Sequence, residues 1–272
     1  MTTVTNFNKG YVFDNGWQHA RERLSVLQAV FDPGTIRHLA HLNIQSGWNC
    51  LEVGAGAGSI AEWLCREVGP SGRVVATDID TRLLQTLVFP QLEVRQDDIA
   101  VAAPETAAFD IVHARLLLEF IPERDTALRH MVAALKPGGW LLVEELDHIN
   151  WLPGSRPFCR SGVIWERFLK AYRLTLEGRG ADLELGRFLC ESLQQQGLTA
   201  VQAEGRAVVA RGGSSAGRLV QLTLSQTGDA LVGTGAINQN ELTGLLSWFE
   251  DQNFTCVLLL LVAAWGRKPV QE

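Results

Sequence analysis

Three glycines at alternate positions, Gly54, Gly56 and Gly58, stand where a short apolar run gives way to a helical pattern. Glycine has no Cβ, so a turn built from it accepts positive φ and lets a ligand come close to the backbone. The helix that follows offers unpaired N–H groups and the positive end of its dipole, which suit a polar or anionic ligand. Twenty residues beyond Gly58, Asp78 ends the run 74–78. A carboxylate there can accept hydrogen bonds from both hydroxyls of a ribose, although it could also merely cap the next helix. Asp97 and Asp98 follow the run 92–96. They could accept from an exocyclic amine, with Ile79 and Ile99 sandwiching a flat purine, or they could form a solvated acidic loop.

Regular elements must carry these residues. The hydrophobic pattern predicts strands over 49–53, 73–77, 92–96, 109–114 and 140–145, with helices over 60–67, 82–87 and 124–135 between them. Such alternation with short links means a parallel sheet flanked by helices, and ligands in such sheets bind beyond the carboxyl ends of the strands. Ahead of the first strand, Trp17, Ala20, Leu24, Leu27 and Val30 form one helical stripe, and Asp32-Pro33-Gly34-Thr35 is expected to end that helix and start a second. Beyond residue 146 the rhythm changes to an aromatic-rich segment with a helix over 163–176. It is followed by a helix over 184–197, a strand over 199–210, two helices over 216–231 and 239–252, and a last strand over 254–265. The expected organisation is an N-terminal helical cap (1–45), a cofactor-binding core (46–148), an inserted lid (149–182), and a remainder of the core (183–272) with a helical insertion at about 216–252.

The chain has 272 residues, 46% of them hydrophobic and 20% charged, the composition of an ordinary globular protein. A net charge of −6 and the lack of a basic run argue against a nucleic-acid partner. Five scattered cysteines show no metal-ligand spacing, so no metal is expected, and buried thiols in a reducing compartment are the simpler reading. The N-terminus lacks a signal-peptide pattern, and the apolar run at 256–265 is too short to cross a membrane, which needs about 20 residues. A cytoplasmic protein without a membrane partner is expected.

Taken together, Glu52-Val-Gly-Ala-Gly-Ala-Gly58, Asp78, Gln96-Asp-Asp98, Phe109-Asp-Ile-Val112 and Leu135-Lys-Pro-Gly-Gly139 resemble the class I S-adenosylmethionine-dependent methyltransferases, in that family's order and spacing. The Trp17 helix, His113-Ala-Arg-Leu-Leu-Leu118 and Gly139-Trp-Leu-Leu-Val-Glu-Glu145 look most like bacterial small-molecule methyltransferases, many of them in specialised (secondary) metabolism. The resemblance implies a Rossmann-like, doubly wound α/β fold with a seven-stranded sheet, the last strand antiparallel, plus the helical cap and lid. It implies S-adenosylmethionine as cofactor and S-adenosylhomocysteine as product. Glu52, Gly54, Ala55 and Gly56 would hold the methionine part and Asp78 the ribose. Ile79 would pack on adenine, while Asp97, Asp98 and Ile99 read its edge and His113, Ala114 and Arg115 lie beside the amino acid moiety.

Methyl transfer needs a base only when the nucleophile must lose a proton. His148 is the first choice for a base or substrate contact, with His113 and Glu145 as further candidates. His113 follows an apolar strand and could instead be a packed, hydrogen-bonded histidine, and Glu144 and Glu145 point to opposite faces of theirs. Tyr11, Trp17, Trp151, Trp165 and Phe168 could line a pocket for a small apolar or aromatic metabolite, or could pack the cap and lid. The N-terminal helices could mediate a homodimer. A nicotinamide-dependent oxidoreductase shares the glycine turn but wants G-x-G-x-x-G, and position 59 here is Ser59. The same fold could also bind the cofactor without transferring methyl, as a cyclase, pericyclic catalyst or binding module.

Overall fold

A computed structural model describes residues 13–154 and 162–270. In it, α1 (Ala20–His41) precedes β1 (Asn49–Val53), α2 (Ser59–Val68), β2 (Arg73–Asp78) and β3 (Leu92–Gln96). Then come β4 (Phe109–Arg115), α3 (Arg124–Ala134), β5 (Leu135–Asp147) and the short β6 (Leu152–Pro153). The chain finishes with α4 (Gly162–Glu177), α5 (Leu185–Gln195), β7 (Thr199–Arg206), β8 (Val209–Arg211), α6 (Ser215–Gly233), α7 (Gln239–Trp248), β9 (Thr255–Val257) and β10 (Leu260–Arg267).

The main sheet runs β3-β2-β1-β4-β5-β10-β7, parallel from β3 to β5, with β10 antiparallel to both of its neighbours. This is the expected seven-stranded, doubly wound α/β sheet. Its central strands are buried on both faces because helices cover both faces. Cys50, Leu51 and Val53 of β1 are all buried. On one side α2 sets Ile60, Ala61, Leu64, Cys65 and Val68 against the sheet, the stripe its 3.6-residue period dictates. On the other, α3 and α5 bury Leu128, Met131, Leu189 and Leu193. Strand order reverses between β1 and β4, which opens a crevice at their carboxyl ends.

Three local expectations need correction. Pro33 does not end the first helix, since α1 runs through it to His41. Proline's fixed φ is helical, so only one N–H is lost. The side chains around it tie the helix to the sheet: Asp32 pairs with Arg115, and the Thr35 hydroxyl donates to the Glu144 carboxylate. The helix expected at 82–87 is a 3-10 turn, Thr81–Thr86. The strands expected over 199–210 and 254–265 each break in two. Their outer parts leave the main sheet and join β6 in a small antiparallel sheet, β6-β9-β8.

That sheet, α4, α6 and α7 enclose a second core. Trp151, Trp165, Phe168, Tyr172, Phe249 and Phe254 are buried there, in edge-to-face and tilted contacts. No helix of the described residues is long and apolar enough to cross a membrane. Phe168 is fully buried, with its ring 5.0 Å from that of Trp151. Phe168→Ala is therefore expected to cost about 3–5 kcal/mol, the price of emptying a packed aromatic site, read from the shift in urea unfolding midpoint.

Candidate active site

The glycine turn closes as it does because side chains crowd it. At Gly54 (φ +68°) a Cβ would lie 2.9 Å from Leu117 Cδ1, and at Gly58 (φ +82°), the N-cap of α2, 2.8 Å from Leu84 Cδ2. The Ala55 N–H donates to Thr77 O at 3.0 Å, tying the turn to β2. Asp78 strengthens that tie: Oδ2 accepts from the Gly56 N–H at 2.8 Å and Oδ1 from the Asp80 N–H at 2.9 Å. Burial pushes the Asp78 carboxyl above its ordinary pKa, and those two N–H groups restrain the rise. A carboxylate offers about four acceptor sites. Asp78 can thus hold the turn and still face a ligand.

Asp78 lines a cleft of about 640 Å³, together with Glu52, Gly54, Ala55 and Gly56 of the turn and with Ile79, Asp97, Asp98, Ile99 and Arg115. Asp98 Oδ1 accepts from the Ala100 N–H at 2.9 Å, and Gln96 Nε2 donates to Ile79 O at 3.0 Å. These bonds brace the two loops that face each other across this end. A narrow, polar-edged slot beside a glycine turn fits a nucleoside carrying an amino acid chain.

Beneath the turn lies a buried ionic chain. His113 Nδ1 is 2.6 Å from Glu52 Oε2, and its Nε2 is 3.4 Å from Glu144 Oε2. Glu144 also meets His38 Nδ1 at 3.0 Å and the Thr35 hydroxyl, both from α1. Arg115 reaches the same helix, donating to Thr35 Oγ1 and Asp32 Oδ1 at 2.7 Å each. Burial alone would depress the His113 pKa, but the charge of Glu52 and hydrogen bonds to Glu144 and Glu52 outweigh it and raise it to about 9. Burial likewise works against the Glu144 carboxylate, and hydrogen bonds to His113 and His38 overcome it, holding its pKa far below the ordinary value. His113 is thus an imidazolium with both nitrogens engaged. Neither it nor Ala114 lines the cleft; Glu52 and Arg115, at the two ends of the chain, do.

Glu145 faces the other way. Its Oε1 accepts from the Leu117 and Leu118 N–H groups at 3.1 and 2.7 Å, and its Oε2 from the Glu119 N–H at 3.4 Å. Leu116, in the left-handed region at φ +54°, turns the backbone so that these donors converge. Burial, then the nearby charge of Glu119, raises the Glu145 pKa well above its usual value. This carboxyl anchors a turn and does not line the cleft.

The cleft's far end is apolar, walled by Leu27 and Phe31 of α1, Trp151, Tyr172 of α4, Leu219 of α6 and Leu258. Of the aromatic candidates, Trp151 lines it. Trp165 and Phe168 stand behind that wall, with Trp165 Nε1 donating to Trp151 O at 3.0 Å. Trp17 packs on the His19 ring away from the cleft, and Tyr11 lies outside the described residues. His148 stands one layer back, its Nε2 3.0 Å from Glu119 Oε2 and its ring stacked on Tyr172. Glu119, 1% exposed and on the cleft wall, escaped sequence reasoning. It sits inside Leu116-Leu-Leu-Glu-Phe-Ile121, where the only signal is a charge in an apolar run.

Strand order, glycine turn and strand-end carboxylates are those of the class I S-adenosylmethionine-dependent methyltransferases. A family model described as a methyltransferase domain matches residues 17–203, well over half of the sequence, and the chain belongs to that family, whose methyl donor is S-adenosylmethionine. The chain is 30% identical over 142 residues to methyltransferase str2 of Strobilurus tenacellus, covering 51% of this chain and 49% of that one. It is 31% identical over 164 residues to the ubiquinone/menaquinone biosynthesis C-methyltransferase UbiE of Pseudomonas putida (strain GB-1), covering 56% and 60%. The matches thus span about half the length of these curated relatives. Phosphoethanolamine N-methyltransferase 2 of Haemonchus contortus, solved with phosphomonomethylethanolamine and S-adenosylhomocysteine, superposes with a TM-score of 0.51 at 16% identity, covering 96% of this chain and 55% of that one. The YcgJ protein of Bacillus subtilis superposes at 0.51 and 15% identity, covering 84% and 95%. Both structures share the fold.

The buried chain makes stability depend on pH from two sides. With its folded pKa raised from 6.5 to about 9, His113 contributes stability that is complete below 6.5 and lost as pH climbs through 9. Glu144, lowered from 4.5, contributes stability that is present above 4.5 and lost as pH falls below it. The contributions of these two groups are therefore both complete between 4.5 and 6.5. His113→Gln should cost about 3–5 kcal/mol by leaving buried carboxylates without their cation. It should also flatten the alkaline limb of a midpoint-against-pH curve. An alkaline limb unchanged in the variant would assign the loss to another group.

Proposed function

We propose that this chain transfers a methyl group from S-adenosylmethionine to a small, apolar or aromatic metabolite. The carrying observation is that one continuous cleft joins the glycine turn and its carboxylates to an apolar chamber. In this reading Glu52, Gly54, Ala55 and Gly56 hold the amino acid end of the cofactor, with Arg115 close by. Asp78 takes the ribose hydroxyls, and Ile79, Asp97, Asp98 and Ile99 enclose the adenine.

When bound, the cofactor supplies an electrophilic methyl on a sulfonium with a neutral leaving group. What remains for the chain is to align a nucleophile with that methyl and to keep water out, which can supply most of the acceleration. The wall from Leu27 and Phe31 to Trp151 and Leu258 suits both tasks, because it offers shape and apolar surface. His113 and Glu145 serve in this reading by holding the cleft's framework. The relatives' names differ in the atom methylated, carbon for the UbiE protein and nitrogen for the Haemonchus enzyme. The acceptor here is therefore argued from this chain's own chamber. Buried free thiols at Cys50, Cys65 and Cys256 support the cytoplasm as the setting.

Calorimetric titration tests the cofactor half directly. The wild-type protein should bind S-adenosylmethionine and S-adenosylhomocysteine and ignore NADH and NADPH. Asp78→Ala should weaken that binding by about 1–3 kcal/mol, the loss expected when a buried polar partner is removed. Equal affinity in variant and wild type would take the ribose away from Asp78.

A further inference from the structure

Glu119 is a buried carboxylate at the wall of a mainly apolar chamber that Arg23 also lines, and its one side-chain partner among the described residues is His148. Its backbone is spent elsewhere: the N–H goes to Glu145, and the carbonyl accepts from the Asp182 N–H at 2.8 Å. Its side chain meets His148 Nε2 at 3.0 Å. The His148 ring is fixed by stacking on Tyr172, 5.8 Å away and 26° from parallel, and by its backbone N–H donating to Leu183 O at 3.0 Å. Its Nδ1 is buried with no hydrogen-bond partner among the described residues. The ring is therefore held with Nε2 toward Glu119, its one side-chain hydrogen-bond partner among the described residues.

A carboxylate can accept about four hydrogen bonds, and burying one with its acceptors unfilled is costly. Here the unfilled side of Glu119 opens on the chamber, beside Tyr172 and Trp151. Such a group calls for a ligand that donates a hydrogen bond to it. An ammonium ion would donate, but the carboxylate would keep it protonated and without the lone pair that methyl transfer needs. A phenolic hydroxyl suits both halves of the wall: its ring matches the aromatic lining, and its proton can be passed to a carboxylate.

Resting on the methyl-transfer reading, we propose that the acceptor is a phenol whose hydroxyl proton Glu119 takes up, with His148 as the positioning residue. In the step, the phenol oxygen bonds to the methyl carbon while the carbon–sulfur bond of the methyl donor breaks and its electron pair passes to sulfur. The phenol's proton moves to a Glu119 oxygen and leaves later to water. His148 aims the carboxylate. Tyr172 feels the charges of both Glu119 and Arg23, and Glu145, which feels that of Glu119, does not line the chamber.

The test uses 4-nitrophenol, whose phenol and phenolate absorb at different wavelengths, with S-adenosylhomocysteine titrated in parallel. Bound to wild type, the probe should hold its proton against about tenfold more base than in water, because a carboxylate faces its hydroxyl. Glu119→Gln should abolish that shift while keeping the wild-type affinity for S-adenosylhomocysteine, which also shows that the variant is folded. Glu119→Asp should keep a smaller shift. His148→Phe retains a ring on Tyr172 but withdraws the group that shares the carboxylate's charge, so the probe's titration moves further alkaline; a merely structural histidine would not move it. Identical titrations in wild type and Glu119→Gln would overturn the proposal. So would failure of 4-nitrophenol to bind a protein that binds S-adenosylhomocysteine. Failure of wild type to bind S-adenosylhomocysteine would instead overturn the methyl-transfer reading beneath it.

Discussion

A protonated imidazole sealed between two glutamates holds this molecule's working end together. His113 belongs to β4, Glu52 to β1 and Glu144 to β5, so one cation links three neighbouring strands at the point where the strand order reverses. Charges so buried are expensive to desolvate, and the arrangement survives only because each is paired and further hydrogen-bonded. Thr35 and His38 complete the set on Glu144, which fastens α1 to the sheet. Without that fastening the cleft would lose the wall that Leu27 and Phe31 provide.

Two neighbouring glutamates on β5 divide the labour according to which face of the sheet each meets. Glu144 looks toward α1 and closes the ionic chain. Glu145 looks toward the chain leaving β4 and collects three backbone N–H groups. The left-handed Leu116 between them is unfavourable for a residue with a side chain. It is held by its own N–H bond to Glu144 O at 2.8 Å and by the donors that follow it. This strained corner carries the next few residues, Glu119 among them, to the cleft wall.

The legible parts of the molecule were local ones. The glycine turn, Asp78 and the strands between them depend on spacing within a few dozen residues, and their placement around one cleft could be anticipated from that spacing. Proline's local habit is to stop helices, whereas distant partners, Arg115 and Glu144, hold α1 through Pro33. The same logic hid the breaks in the two long strands: an apolar run does not reveal that its ends serve different sheets. Glu119 was invisible because its meaning lies in a chamber whose other walls are far away in the chain. His148 stands out in the sequence for its chemistry, and the structure sets it behind the carboxylate that reaches the cleft.

The two ends of the cleft differ in chain entropy. The turn end is closed by short stretches of chain that all fall between Glu52 and Arg115, whereas the chamber gathers walls from Phe13 to Leu259. Loop-closure cost grows only logarithmically, by about 0.6 kcal/mol per doubling of length, so a wall drawn from remote segments is little dearer than one drawn from neighbours. What remoteness confers is independence. α6 and the small sheet can be lengthened, shortened or resurfaced without disturbing the backbone register that closes the glycine turn. The acceptor's wall can therefore change with those segments while the backbone bonds that close the glycine turn stay in place.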